Sequence, residues 1–173
     1  MVTKNKTVRP KIKLKRTTLD WVFEITAFAF FALLIILPAI YFRDLPDTIP
    51  VHFNAAGNPD GFGSRTTLWI LPLTGAFMYI LMTIVEAFPH IYNFPVEITE
   101  ENAPAQYRLA TRLIRILKTV ILIMFSYISY QTINTATGGA AGLGKVFLPV
   151  FLLITFGVII IYIVQSLNNR HRG

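Results

Sequence analysis

His52, Asn54 and Asp60 place an imidazole, an amide and a carboxylate in one short polar segment of a largely apolar chain. Such a trio can hold a transition-metal ion, although a closed site needs one more strong ligand. It can also offer hydrogen-bonding groups to a peptide or protein. The structural alternative is that Asn54 and Asp60 cap turns while His52 bonds to backbone. A second set mixes acids and bases. Asp20 and Glu24 lie one helical turn apart, Glu86 comes much later, and Arg108, Arg112, Arg115 and Lys118 recur on one broad helical face. Carboxylates in an apolar environment must meet a base or reach water. Similar depth makes Glu24 with Lys118, and Glu86 with Arg115, the expected pairs. For the basic face as a whole, phosphate headgroups are the expected partners. Such an inner polar belt carries protons or ions, or else fixes helix order while long side chains snorkel to the headgroups. All these charges fall near one boundary, which favours the second role.

What is missing narrows the chemistry. The chain has no cysteine, which removes disulfides, thiolate catalysis and zinc–sulfur sites. Its three histidines, His52, His90 and His171, lie in different segments, and no His-Glu-x-x-His pattern occurs. No apolar span carries a histidine, so an intramembrane serine protease is not expected either. The expectation is a non-enzymatic protein with no cofactor and no bound metal.

The elements that must position these residues are four apolar stretches, 19–42, 67–88, 109–133 and 146–167. Each exceeds the roughly 20 residues that a helix needs to cross a bilayer. The fold class is therefore an all-α membrane protein, a four-helix transmembrane bundle with a structured outer loop between helices 1 and 2. A basic tail precedes it (1–18, with Lys4 and Lys6 among its charges) and a short basic tail follows (168–173). The net charge of +7 does not indicate nucleic acid, because the excess sits in the tail and at membrane boundaries, where anionic lipid is the partner. Basic and charge-poor boundaries alternate along the chain. That places both termini in the cytoplasm and the protein in the inner membrane. Ala27-Phe28-Ala29 mimics a signal-peptide cleavage site but lies within an apolar run that continues to Ile40.

Details of the loops refine this plan. Residues 49–54 alternate like a short strand, with Val51 and Phe53 on one face and His52 and Asn54 on the other, and Pro50 confines it to an edge. Residues 57–61 are dense in turn chemistry, and Phe62 and Trp69 suit the headgroup level. Pro38, Pro72 and Pro149 all fall on the outer side. Asn102 is a helix N-cap candidate, with Pro104 tolerated in the first turn. In the outer half of the third span, Ser126, Ser129 and Tyr130 share a face. This face either lines a wet cleft under the outer loop or hydrogen-bonds to neighbouring helices.

The segment Leu45-Pro46-Asp47, Pro50-Val51-His52-Phe53-Asn54 and Gly57-Asn58-Pro59-Asp60 resembles the signature of a bacterial membrane domain found also in SdpI-type immunity and signalling proteins. The resemblance extends over about the middle two-thirds of the chain, through Gln106-Tyr107-Arg108-Leu109. It implies a membrane role without established chemistry, with immunity against a secreted peptide and sequestration of a repressor among its forms. The combined expectation is binding of a peptide or protein partner, through His52, Asn54 and Asp60 outside and through Arg108, Arg112 and residues 97–102 inside. The alternative is a small transporter or channel subunit, which needs a continuous polar path from residues 126–134 to Glu24 and Glu86. The mostly apolar run 119–124 stands against such a path.

Overall fold

A computed structural model describes residues 9–170. Lys4, Lys6 and His171 lie outside the described residues. The chain runs α1 (Thr18–Tyr41), β1 (Thr48–Phe53), β2 (Pro59–Ser64), a 3-10 turn (Arg65–Trp69), α2 (Ile70–Val85), a 3-10 turn (Pro89–Ile91), α3 (Ala103–Ala136) and α4 (Phe147–Asn168). Four helices, the second counted with its leading turn, are long and apolar enough to cross a membrane. The protein is a four-span helical membrane protein with a two-stranded hairpin between its first two helices.

Local chemistry sets the helix limits. Thr17 and Asp20 form a reciprocal capping box that starts α1: the Thr17 N–H donates to Asp20 Oδ2 at 2.8 Å, and the Asp20 N–H donates to Thr17 Oγ1 at 3.3 Å. Helix α2 stops at Val85, short of the expected 88: Glu86 is its C-cap, and Phe88, the residue before Pro89, is no longer helical. Helix α3 is longer than the expected span at both ends. It is uninterrupted by glycine between Pro104 and Gly138, where a φ of +82° ends it. Its 34 residues reach about 51 Å, well beyond the hydrocarbon core. Asn102 stands at its N-cap position but does not cap it. The Asn102 side chain turns back instead, accepting from the Thr99 N–H and donating to the carbonyls of Glu97 and Arg170. Pro72 and Pro149 fall in the first turns of their helices, where no intrahelical bond is lost.

Helix α3 is the hub. Residues Tyr107, Thr111, Arg115, Lys118, Leu122, Ser126, Ser129 and Ile133 follow one another at steps of three and four, and all are buried. This strip packs on α1 most extensively and on α2, while α4 has α3 as its one substantial helical neighbour. At mid-bundle Ala27, Leu34 and Leu122 form a dry cluster with Phe30, Phe31 and Phe125 around it. Ser126 donates to the Phe30 carbonyl at 2.8 Å, so this hydroxyl joins two helices.

The loop after α1 is a complete hairpin. Its second strand, Pro59–Ser64, runs through residues that read as turn chemistry in sequence. Tertiary pairing overrides the turn preference here, because Gly61 and Gly63 let the backbone approach His52 and Val51 closely. The register slips between Pro50 and His52, and again before Phe53. This bulging breaks the expected alternation: Ile49 and Pro50 point into the bundle, and Val51 and His52 both face outward. Leu45, Ile49, Leu68 and Ile133 form the cluster that seats the hairpin on α3.

The hairpin turn is locked to the second loop on the same side. The Leu143 N–H donates to the Gly57 carbonyl at 2.8 Å, and a Cβ on Gly57 would lie 2.6 Å from the Gly144 oxygen. Gly57 also has φ +78°. Gly57→Ala is therefore expected to lower stability by about 2 kcal/mol or more, through strain and backbone collision together. Gly138→Ala, at φ +82° with open space around it, carries the strain alone and should cost about 1 kcal/mol. Equilibrium unfolding of both variants in the same detergent checks the difference.

Candidate functional site

Two regions gather polar chemistry, one at each end of the bundle. At the hairpin end the structure brings together His52 and Asp60, whose Nδ1 and Oδ1 are 2.5 Å apart across the paired strands. The pair is open to solvent, with the His52 side chain 70% exposed. Asn54 does not join it. The Asn54 Oδ1 accepts the backbone N–H groups of Ala56 and Asn58, so this side chain closes the turn. Asp60 caps no turn, because its carboxylate is taken by His52. Among the described residues, no three histidine or acidic side chains come together as a metal site would need.

Beneath β1 lies a cleft of about 620 Å³. Its roof is Ile49 to Phe53. Its walls are Leu68 from the 3-10 turn, Ile70 and Leu71 from the start of α2, Met124, Ile128 and Thr132 from α3, and Phe147, Leu148 and Phe151 from α4. The cleft is overwhelmingly apolar, so of the two readings of the third span's polar face, a wet lining or hydrogen bonds to neighbouring helices, Ser126 takes the second. None of Ser126, Ser129 and Tyr130 lines the cleft. Ser126 is spent on Phe30, Ser129 is fully buried away from it, and Tyr130 faces outward. The Tyr127 hydroxyl donates to the Leu143 carbonyl at 2.8 Å and so ties α3 to the second loop.

At the other end three carboxylates and two cations are buried together. Lys118 Nζ lies 3.0 Å from Glu24 Oε2, 2.9 Å from Glu86 Oε1 and 3.0 Å from Thr83 Oγ1. Arg115 bridges Glu86 at 2.8 Å and Asp20 at 3.0 Å. Tyr79 donates to Glu24, and its ring lies beneath the Lys118 ammonium with the nitrogen 5.0 Å from the centroid. Arg112 and Arg16, both partly exposed, complete the rim at 3.4 Å from Asp20 and 3.8 Å from Glu86. Glu24 thus meets Lys118 and Glu86 meets Arg115. The headgroup expectation fails for these two cations: Lys118 is 1% exposed and Arg115 7%. Three nearby carboxylates, rather than phosphate, are their partners.

Sequence reasoning missed Thr83, Tyr79 and the Asp20–Arg115 contact. The signal was present. Tyr79, Thr83 and Glu86 follow steps of four and three, so they share one face of α2 with the acid already singled out. A cleft of about 330 Å³, lined by Ile12, Arg16, Thr83, Glu86 and Arg115 among others, leads to this cluster from outside the bundle. Beside it the loop after α2 is tied down by Tyr92, whose hydroxyl donates to the Val85 carbonyl at 2.7 Å. Burial, with Glu86 nearby, pushes the Tyr92 phenol well above its ordinary range, so it stays a neutral donor. Arg9 donates to the carbonyls of His90 and Tyr92, which straps the N-terminal segment over the same loop.

With this geometry in view, similarity to known proteins is local. Residues 29–76 match a family model described as a domain of unknown function, DUF1648. The match takes in the hairpin-side half of α1, the whole hairpin and the first turns of α2, and it stops before α3. An uncharacterized protein of Archaeoglobus fulgidus is 39% identical over an alignment of 72 residues, with 37% of this chain covered. The chain spans 39% of that relative's length. No solved structure matches. The hairpin-bearing segment is thus what this chain shares with the matched family, and the charged end lies outside the matched residues.

Removing one partner from a buried ion cluster leaves the others uncompensated. Lys118→Met should cost about 3–5 kcal/mol, measured by equilibrium unfolding in mixed micelles. Adding Glu24→Gln and Glu86→Gln to that variant should recover much of the loss. A triple variant no more stable than the single one would show that packing, rather than charge, fixes these helices.

Proposed function

We propose that this protein is a non-enzymatic membrane receptor that takes an apolar segment of a peptide or protein partner into the cleft under β1. The observation that carries the reading is the cleft itself. Its volume of about 620 Å³ falls within the ordinary range for binding sites, and it is apolar with few polar groups at its edge. His52 lines the rim, where its imidazole and the adjoining Asp60 can read polar atoms of the same partner. The resemblance to SdpI-type proteins supports an immunity, signalling or accessory role. In this reading the membrane is the bacterial inner membrane, the hairpin lies outside the cytoplasm and both termini lie inside. The basic boundaries of the sequence support that orientation.

The transporter alternative has less support. A path from the cleft to the buried ion cluster would pass the dry layer of Ala27, Leu34 and Leu122, each 0% exposed. Of the aromatic side chains around them, Phe30, Phe31 and Phe125 offer no polar atom, and the Tyr79 hydroxyl is already taken by Glu24.

A photoreactive side chain at Val51 is expected to give one discrete peptide adduct in intact cells, absent when Ile128→Trp fills the cleft. Adducts with lipid alone, or an unchanged adduct in the filled variant, would overturn the peptide reading. Because the chain has no cysteine, Asn58→Cys and Arg108→Cys can each be labelled singly. An impermeant thiol reagent outside sealed cells should modify the first and spare the second.

A further inference from the structure

The start of α3 and the end of α4 meet in a cleft of about 340 Å³ lined by Pro104, Ala105, Arg108, Leu109, Arg112 and Asn169. None of these side chains is acidic. Arg108 is exposed and, among the described residues, forms no ion pair. Arg112, one turn further along the same face, is 29% exposed at its side chain and gives Asp20 only a long 3.4 Å contact. Two guanidinium groups therefore face a small cavity with donors to spare, and a guanidinium fits phosphate oxygens in paired geometry.

Depth identifies the anion. Arg112 lies level with the first turn of α1, since it reaches both Asp20 and Thr17 at 3.4 Å. Trp21, 50% exposed in that same turn, has Arg16 stacked 5.0 Å from its ring, an arrangement suited to the lipid–water boundary. Arg108 stands four residues earlier in α3, about 6 Å further from the membrane centre. That is headgroup level. From there Leu109, Ile116, Val120 and Ile123 follow at steps of seven, four and three, one apolar strip along α3. The strip runs about 21 Å, enough to start at headgroup level and pass through the roughly 15 Å of one leaflet's hydrocarbon. It ends in a second groove between α3 and α4, lined by Val120, Ile123, Val150 and Ile154 among others.

We infer that this seam binds one anionic phospholipid, its phosphate on Arg108 and Arg112 and an acyl chain along the strip from Leu109 to Ile123. The site lies at the opposite end of the molecule from the cleft under β1. It requires none of the partner chemistry proposed there.

Native mass spectrometry of the full chain, released from detergent containing equal amounts of phosphatidylglycerol and phosphatidylcholine, tests this. One phosphatidylglycerol molecule should be retained per chain. Arg108→Gln should lower that retention about tenfold, the effect of losing one charge-assisted contact. Arg43→Gln, an exposed charge at the hairpin end, should leave it unchanged. Inorganic phosphate at the same concentration should not displace the lipid. Equal retention of both lipids, an unaltered Arg108→Gln variant, an equal loss in Arg43→Gln or full displacement by phosphate would each overturn the proposal. Arg108 makes no folded contact that the bundle needs, and unchanged thermal unfolding of Arg108→Gln in phosphatidylcholine verifies that the variant is intact.

Discussion

A charge taken out of water inside a bilayer must be matched on the spot, and here five such charges are matched at a single level. Lys118 lies within 3.1 Å of two carboxylates from two different helices, and Arg115 joins Asp20 on α1 to Glu86 after α2. A translation of any of these helices by one turn would leave an ammonium or a carboxylate stranded in hydrocarbon. The apolar layers above this level cannot supply that precision, because lipid and side chain are equally good neighbours for leucine. The ion cluster therefore sets the relative heights of the first three helices. With those heights fixed, Ile49 and Leu68 come to rest against Ile133, and the hairpin is seated.

That dependence explains which parts of the molecule can be read from sequence. The four spans stand out because hydrocarbon thickness is a strict length requirement. The Glu24–Lys118 and Glu86–Arg115 pairings follow from depth alone. Asp20 was harder to place because it has two roles, capping α1 through Thr17 and pairing with Arg115. Strand β2 was hidden by its own composition: Pro59, Asp60, Gly61 and Gly63 carry turn preferences, and the pairing with β1 decides against them. The apolar character of the cleft was equally hidden. Serine spacing on α3 says which hydroxyls share a face, but not that Ser126 would find the Phe30 carbonyl on α1.

The two ends of the bundle divide the work differently. The hairpin end is built from backbone: glycines at 57, 142 and 144 with positive φ let two loops touch through carbonyl and amide. The opposite end is built from side chains, with Gln106 reaching the last turn of α4 and Asn102 the Arg170 carbonyl just past it. The similarity to the family of unknown function falls on the backbone-built end, over residues 29–76. The ion cluster lies wholly outside that match: Asp20 and Glu24 precede it on α1, and Glu86, Arg115 and Lys118 follow it.

Helix α4 is fastened at its extremities and nowhere strongly between. Ser166 is fully buried against Gln106 at one end, Leu143 is bonded to Gly57 just before the other, and the central apolar run rests on α3 alone. The middle of the helix can thus bow sideways without breaking a polar bond, exchanging protein contacts for lipid ones of similar energy. The space under β1 then widens from the flank rather than from above.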